Sequence, residues 1–201
     1  MWKRDFLQSL ILDPDPVALF FSHLPEIQTE RLLLRPLQLR DAADIFAYAK
    51  DPQVARYVLW DAHSSVGDSR AYIRWNRHQY RAGEPGSWAV VLRETNRVIG
   101  TIGFMTYDSE HACAELGYSL GHAWWGRGLA TEALLAVLNT AFQELPVHRL
   151  EAMHEIENPA SGRVMAKCGM RQEGVLRGRI SNKGAYRDVC LWAILREDWE
   201  K

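Results

Sequence analysis

Two glycines two positions apart stand between a short alternating run and a long amphipathic one, in Trp125-Gly126-Arg127-Gly128-Leu129-Ala130-Thr131. Glycine lets the backbone turn sharply and lets a ligand approach without a Cβ in the way. The first amides of a helix that begins just after such a turn have no internal partner, and the helix dipole makes that end electropositive. The chemistry this supports is the holding of an anion by main-chain N–H groups, most simply a phosphate or pyrophosphate. Other chemistries are less supported. Cys113, Cys168 and Cys190 have neither paired nor metal-ligand spacing, and no histidine is placed in sequence to activate Cys168 as a nucleophile. Of the seven histidines, His122 in the loop is the first to test, with a surface position as its plain alternative.

The elements that must position this loop can be read on either side of it. From residue 114 to 120 the side chains alternate, with Ala114, Leu116, Tyr118 and Leu120 on one face and Glu115, Gly117 and Ser119 on the other, which predicts a strand. From Leu129 to Phe142 apolar residues recur at helical spacing. Upstream, residues 29–36 read as a strand and residues 41–50 as a helix with Asp41 near its cap, ended by Asp51-Pro52. A second helix is expected over about 67–81, then a hairpin of strands 88–92 and 98–105. Downstream, residues 148–156 read as a strand, Asn158-Pro159 as a capped helix start, and Gly169 as its left-handed close. A final hairpin joins 175–180 to 185–195 across 181–184. Residues 1–28 read as an N-terminal extension, a docking helix or dimer arm whose apolar face is Phe6, Leu7, Leu10 and Ile11, stopped by Asp13-Pro14-Asp15-Pro16. Residues 29–201 then form one mixed α/β domain with a mostly antiparallel sheet flanked by helices.

Composition narrows the function. The chain of 201 residues is 47% hydrophobic and has no apolar run of membrane-spanning length, so no membrane partner is expected. With 24 basic and 25 acidic side chains the formal charge is −1, which argues against a broad nucleic-acid-binding face and leaves room for a local basic pocket. Scattered cysteines suit a reducing cytoplasm.

Three phosphate signatures can be tested against the loop. Gly121 and Gly126 have Walker A spacing, but Arg127-Gly128 replaces the required Lys-Ser/Thr. A dinucleotide fingerprint needs a third glycine where Thr131 stands, and should open the first βαβ unit, whereas this loop lies past mid-chain. A turn that binds nothing is the plain alternative. The third signature is the acyl-CoA loop of the GNAT N-acetyltransferases, Arg/Gln-x-x-Gly-x-Gly/Ala, which Gly126-Arg127-Gly128-Leu129-Ala130 resembles, with Trp125 in the place where Arg or Gln is usual. Other segments resemble the ribosomal-protein (RimJ/RimL-like) branch of that family in its order: TERLLLRP (29–36), Asp51-Pro52-x-Val54, VIGTIGF (98–104), AELGYSL (114–120), WGRGLATEA (125–133), ENPASGRVMAKCGM (157–170) and LREDW (195–199). The resemblance covers about Thr29 to Trp199 and implies the GNAT acyl-CoA N-acyltransferase fold, with acetyl-CoA as co-substrate and no metal.

By that resemblance, the main chain of Tyr118, Ser119 and Leu120 would hold the acetyl-pantetheine arm like an extra strand, and the amide near Leu120 would polarise the thioester carbonyl. The amides of Trp125, Gly126, Arg127, Gly128, Leu129, Ala130 and Thr131 would hold the pyrophosphate. Asn158 and Ser161 would touch the pantetheine or the leaving sulfur, and Lys167 would meet the nucleotide phosphate or solvent. Transfer from a thioester to an amine needs a neutral amine, a donor for the carbonyl oxygen and a stabilised thiolate. Glu115 is the leading base, with positioning of the substrate ammonium or pairing with an arginine as its alternative. Glu157 is the rival base, or favourable charge at a helix start. Ser161 is the candidate donor to sulfur. Glu132, in a first helical turn, is assigned no chemistry. An α-amine, with a pKa near about 8, is partly neutral at cytoplasmic pH, whereas lysine near about 10.4 is mostly charged. The expected activity is therefore acetyl transfer from acetyl-CoA to a primary amine, best a protein N-terminal α-amine of ribosomal-protein-alanine type. The alternatives are a small-molecule amine (amino acid, polyamine or antibiotic) or an acyl-CoA-binding regulator without turnover. A cytoplasmic monomer or homodimer is expected.

Overall fold

The computed structural model describes residues 15–200. In chain order they form α1 (Pro16–Ser22), β1 (Ile27–Gln28), β2 (Leu32–Pro36), α2 (Ala42–Ala49), α3 (Pro52–Ala55), α4 (Val66–Ala82), β3 (Ser87–Leu92), β4 (Arg97–Asp108) and β5 (Cys113–Leu120). Then come α5 (Leu129–Glu144), β6 (Arg149–Glu155), α6 (Pro159–Lys167), β7 (Arg171–Asn182), β8 (Ala185–Leu195) and α7 (Arg196–Trp199). The strands make one sheet in the order β1-β2-β3-β4-β5-β6-β8-β7. Every pairing is antiparallel except β5 with β6, and a parallel neighbour requires a crossover, which α5 supplies. The mixed α/β architecture with a mostly antiparallel sheet is thus as expected.

Residue parity sorts the sheet between two cores. On β3, Trp88, Val90 and Leu92 join Leu134, Val137, Leu138 and Ala141 of α5, Met165 of α6 and the aromatic pair of α1. Ala89 and Val91 turn the other way, to Ile45 and Tyr48 of α2 and Ile73 of α4. Helices α1, α5 and α6 therefore cover one face, and α2 and α4 the other. The face under α2 and α4 is closed in part by a buried ion pair. Arg35 grips Asp41 bidentately, 2.8 Å at each oxygen. Asp41 occupies the cap position of α2 but makes no side-chain bond to that helix; its carboxylate is taken by Arg35 and by the amide of Gln38.

Several boundaries differ from the sequence reading. Asp15-Pro16 starts a helix, with Asp15 accepting from the Val17 amide and Pro16 in the first turn. That helix, α1, drives Phe20 and Phe21 against Trp88 and Phe104, Phe21 lying 5.3 Å from the Phe104 ring. Residues 16–28, set apart as an extension, thus contribute to the main core and add β1 to the sheet edge. The expected helix face of Phe6 to Ile11 lies outside the described residues. Asp51-Pro52 likewise caps α3 after ending α2. The strand expected over 29–36 begins only at residue 32, with a bend at residues 30–31 separating β2 from β1. Strand β7 begins four residues before the expected start at 175, because Arg171 and Gln172 already pair with β8.

Candidate active site

The site begins where two strands part. β5 and β6 pair in register only from Cys113/Arg149 to Leu116/Ala152. Beyond that point β5 runs on to Leu120 and β6 to Glu155 without pairing, so the sheet forks. The amide of Gly121 donates to Ile99 at 2.8 Å, which assigns residue 121 to the β4-facing set. Alternation then turns the main-chain groups of Leu120 and Tyr118 into the fork. Trp125 confirms this direction, because its indole N–H reaches the Leu120 carbonyl at 2.7 Å.

The glycine loop closes the mouth of the fork. Gly126 and Gly128 both take left-handed backbone, with φ of 73° and 77°. A side chain would be strained there, which is why this turn calls for glycine. Gly128 occupies the cap position of α5 without any side-chain cap bond. The first amide of this stretch to donate is that of Glu132, to the Gly128 carbonyl at 3.0 Å. Among the described residues, the amides of Gly126 through Thr131 donate to no protein acceptor, which is the condition an anion cradle requires.

A strap from the bend before β2 sets the loop's position. Arg31 donates to the Arg127 carbonyl at 2.9 Å and to Glu132 through Nε at 2.7 Å. Glu132 also accepts from the Thr29 hydroxyl at 2.5 Å and from the Arg31 amide at 2.9 Å. Burial would raise the Glu132 carboxyl, but these donors hold it below the usual range. Glu132 thus anchors helix to strand, a role not read from sequence although Thr29 and Arg31 belong to the TERLLLRP motif. Arg127 is exposed and lies over the Trp124 ring, 5.1 Å from its centroid. His122 packs on Trp125 at 4.7 Å and sits 3.6 Å from Asp51.

Helix α6 forms the other side of the fork. Asn158 holds its cap position, yet its side chain makes no cap bond. Tyr118 reaches across from β5, its hydroxyl 3.0 Å from the Ser161 carbonyl and 2.8 Å from the Ser161 Oγ. Burial raises the Tyr118 hydroxyl, so it keeps its proton and can donate. Cys168 is buried with its Sγ 3.6 Å from the Thr131 carbonyl, and burial pushes its thiol up to about 12, an inert packing role. Lys167, the residue before Cys168, is exposed. Glu157 is exposed in the turn before α6.

Glu115 lies at the closed end of the fork, opposite Glu151 in register. Burial raises its carboxyl, Glu151 adds to the effect, and Arg179 opposes it. Four strand residues, about 13 Å, separate it from Ser119, so it can receive a proton from an amine at the strand end only through intervening water. Between that strand end and helices α2 and α4 lies a cavity of about 150 Å³ lined by Ile45, Tyr48, Ala49, Trp60, His63, Tyr72 and Thr101. Thr101 Oγ1 is 3.4 Å from Ser119 Oγ, so one wall of the cavity touches the end of β5. Ile45 and Ala49 follow from the inward face of the 41–50 helix, and the acceptor is expected to be set by the region around residues 52–86. Trp60, His63, Tyr72 and Thr101 were not singled out; the aromatic density from Tyr57 to Tyr72 was the available signal. The tip of the β7–β8 hairpin leans over the same region, Lys183 donating to the carbonyls of Val58 at 2.8 Å and Trp60 at 3.3 Å.

Comparison with known proteins gives this geometry a family. The Acetyltransferase (GNAT) domain family matches residues 31–171. The chain is 34% identical over 173 residues to the uncharacterized N-acetyltransferase p20 of Bacillus licheniformis, covering 86% of this chain and 97% of that protein. It is 29% identical to the [ribosomal protein uS5]-alanine N-acetyltransferase of Escherichia coli, covering 89% and 95%. The structure of Mycobacterium smegmatis RimJ in complex with CoA-disulfide superposes with a TM-score of 0.81 at 25% identity, covering 90% and 91%. Among the described residues no group of histidine, cysteine and acidic side chains could hold a metal, and no helix is long and apolar enough to cross a membrane. A forked sheet, an unfilled ring of amides and these matches lead to one assignment: the chain belongs to the GNAT family and is an acetyl-CoA-dependent N-acetyltransferase.

Proposed function

We infer that the acceptor is the α-amine of a protein N-terminus, of the ribosomal-protein-alanine type. The observation that carries this reading is the form of the cavity beside Ser119. It is about 150 Å³ in volume, aromatic and free of carboxylates, large enough for one small side chain and poor for a polycation. The near-complete coverage of the uS5-alanine enzyme supports it. In this reading the amides of Gly126 to Thr131 hold the diphosphate, the Trp125 amide being taken by the His122 carbonyl at 3.1 Å, and Lys167 adds charge. The open edge of Tyr118 to Leu120 holds the pantetheine, with the Leu120 amide on the thioester oxygen and Asn158 on the arm. Tyr118 and Ser161 together donate to the leaving sulfur. Glu115 acts as charge, drawing the acceptor ammonium along the face it shares with Ser119; Glu157, exposed in its turn, serves as charge at the start of α6. A cytoplasmic setting fits three free thiols.

The test is release of CoA thiol in steady state with a panel of amines. Turnover of alanyl- and seryl-terminated peptides with little on spermidine or free amino acids supports the reading. The reverse pattern replaces it with a small-molecule acceptor, and tight acetyl-CoA binding without release to any amine points to a regulator.

A further inference from the structure

A base for the acceptor amine is still required at the strand end, and the cavity there contains a histidine fixed from three sides. The His63 amide donates to the Ala49 carbonyl at 3.0 Å. Its Nδ1 is 2.8 Å from the Oγ of Ser69, a residue with no exposure. Its ring packs against Trp60, with centroids 5.4 Å apart. Nε2 is the ring position these contacts leave for the cavity. The other walls of the same cavity meet the reacting end of β5. Thr101 stands 3.4 Å from Ser119, and a Cβ built on Gly121 would lie 2.8 Å from the Tyr48 Cβ. The cavity thus has the imidazole in one wall and Thr101, which touches Ser119 near the end of β5, in another.

We propose that His63 Nε2 takes the proton from the acceptor amine during acetyl transfer, deepening the acetyl-transfer reading by naming its base. The amine lone pair forms the C–N bond to the acetyl carbonyl carbon, and the C–S bond breaks with its electron pair going to sulfur. One N–H proton passes to Nε2 and later to water, and the thiolate takes up a proton from the Tyr118–Ser161 side or from water. For this the neutral ring must carry its hydrogen on Nδ1, donating to Ser69 Oγ. The titratable groups around it are Asp68 in the first turn of α4, Tyr72 on α4 and Tyr48 on α2. Burial lowers the His63 pKa from the ordinary histidine value and Asp68 opposes that, so the ring is neutral, and able to accept, at pH 7. Glu115, about four strand residues away, lacks this direct reach.

The experiment compares the parent with His63→Gln and Ser69→Ala on an alanyl peptide and on spermidine, with acetyl-CoA affinity measured in parallel. For whichever amine the parent acetylates, His63→Gln lowers kcat about a hundredfold or more, leaves acetyl-CoA affinity unchanged, and removes the acid limb of the pH–rate profile. Nitrogen NMR of the parent, which needs no variant to fold, shows hydrogen on Nδ1 and a bare Nε2. A His63→Gln enzyme that keeps its rate or its acid limb overturns the proposal, as does a change confined to acceptor KM, or hydrogen found on Nε2. Parent turnover of spermidine but not peptide would instead refute the N-terminal acceptor, with the His63 comparison still decided on spermidine.

Discussion

Replacing Gly128 by valine tests the anion cradle while leaving the rest of the molecule intact. Gly128 has φ of 77°, and a Cβ built on it meets only the Arg31 guanidinium, at an ordinary 3.6 Å. The cost to folding is therefore backbone strain without collision, about 1–2 kcal/mol for an L side chain held left-handed. For a domain of this size that lowers the melting temperature by roughly 2–8 °C. The cost to binding is larger. Hydrogen bonds to a charged group contribute about 1.5–3 kcal/mol each, and a branched side chain at the entrance of α5 should remove at least two of them. The expected loss is roughly 3–6 kcal/mol, a weakening of CoA binding by about a hundredfold or more. Titration calorimetry with CoA reads this directly, and quenching of Trp124 and Trp125 beside the loop gives a second signal. Gly128→Ala carries similar strain without the branch and should fall between the two. A Gly128→Val protein that melts within this range and binds CoA as the parent does would show that the diphosphate is held elsewhere.

Tyr118→Phe should lower kcat about tenfold, some 1.4 kcal/mol of transition-state stabilisation, at unchanged KM for acetyl-CoA; an unaltered kcat removes the hydroxyl from the leaving-group step. Glu115→Gln follows from linkage. The folded-state pKa of Glu115 is raised, so the native protein holds that proton more tightly than the unfolded chain. The group therefore favours folding at acid pH, and that advantage is lost as pH rises through the folded-state value. The glutamine should raise the melting temperature above that value and make no gain at acid pH, in thermal scans across the range; lower stability at neutral pH would contradict the burial argument. Its turnover should fall more than its acetyl-CoA affinity. Lys183→Met should speed hydrogen exchange over residues 56–62 and raise the acceptor KM severalfold, with acetyl-CoA KM unchanged. The folding cost should stay within about 1 kcal/mol because the ammonium is exposed.

The parts of this site that were legible in the sequence are those made by neighbours in the chain. Alternation over 114–120 located β5 and its two faces, and the spaced apolar residues after Leu129 located α5. Glycine chemistry marked the loop because positive φ has few other solutions, and the ordered motifs supplied the family. What escaped reading depends on residues far apart in sequence. Glu132 looked like simple helix-start charge, since nothing local reveals that Thr29 and Arg31 come to meet it 101 to 103 residues away. The fork depends on where β6 stops pairing, and apolar pattern alone does not contain that register. His63, Tyr72 and Thr101 come from a loop, a helix and a strand, and they become one cavity only after packing. The helix that Asp15-Pro16 opens was not read, because a pair that can break a helix is also a preferred helix opening.

Trp125 occupies the slot where the family's loop usually carries Arg or Gln, and its indole is turned inward onto the Leu120 oxygen. That contact occupies one lone pair of the last acceptor on the exposed margin of β5 and leaves its hydrogen donor uncovered. The tip of the margin therefore leans toward donation: its amide is open to an incoming oxygen, while one of the two lone pairs of its carbonyl is already taken. A guest threading into the gap meets an edge biased toward its own acceptors, a bias set by one aromatic ring placed where a charge would ordinarily stand.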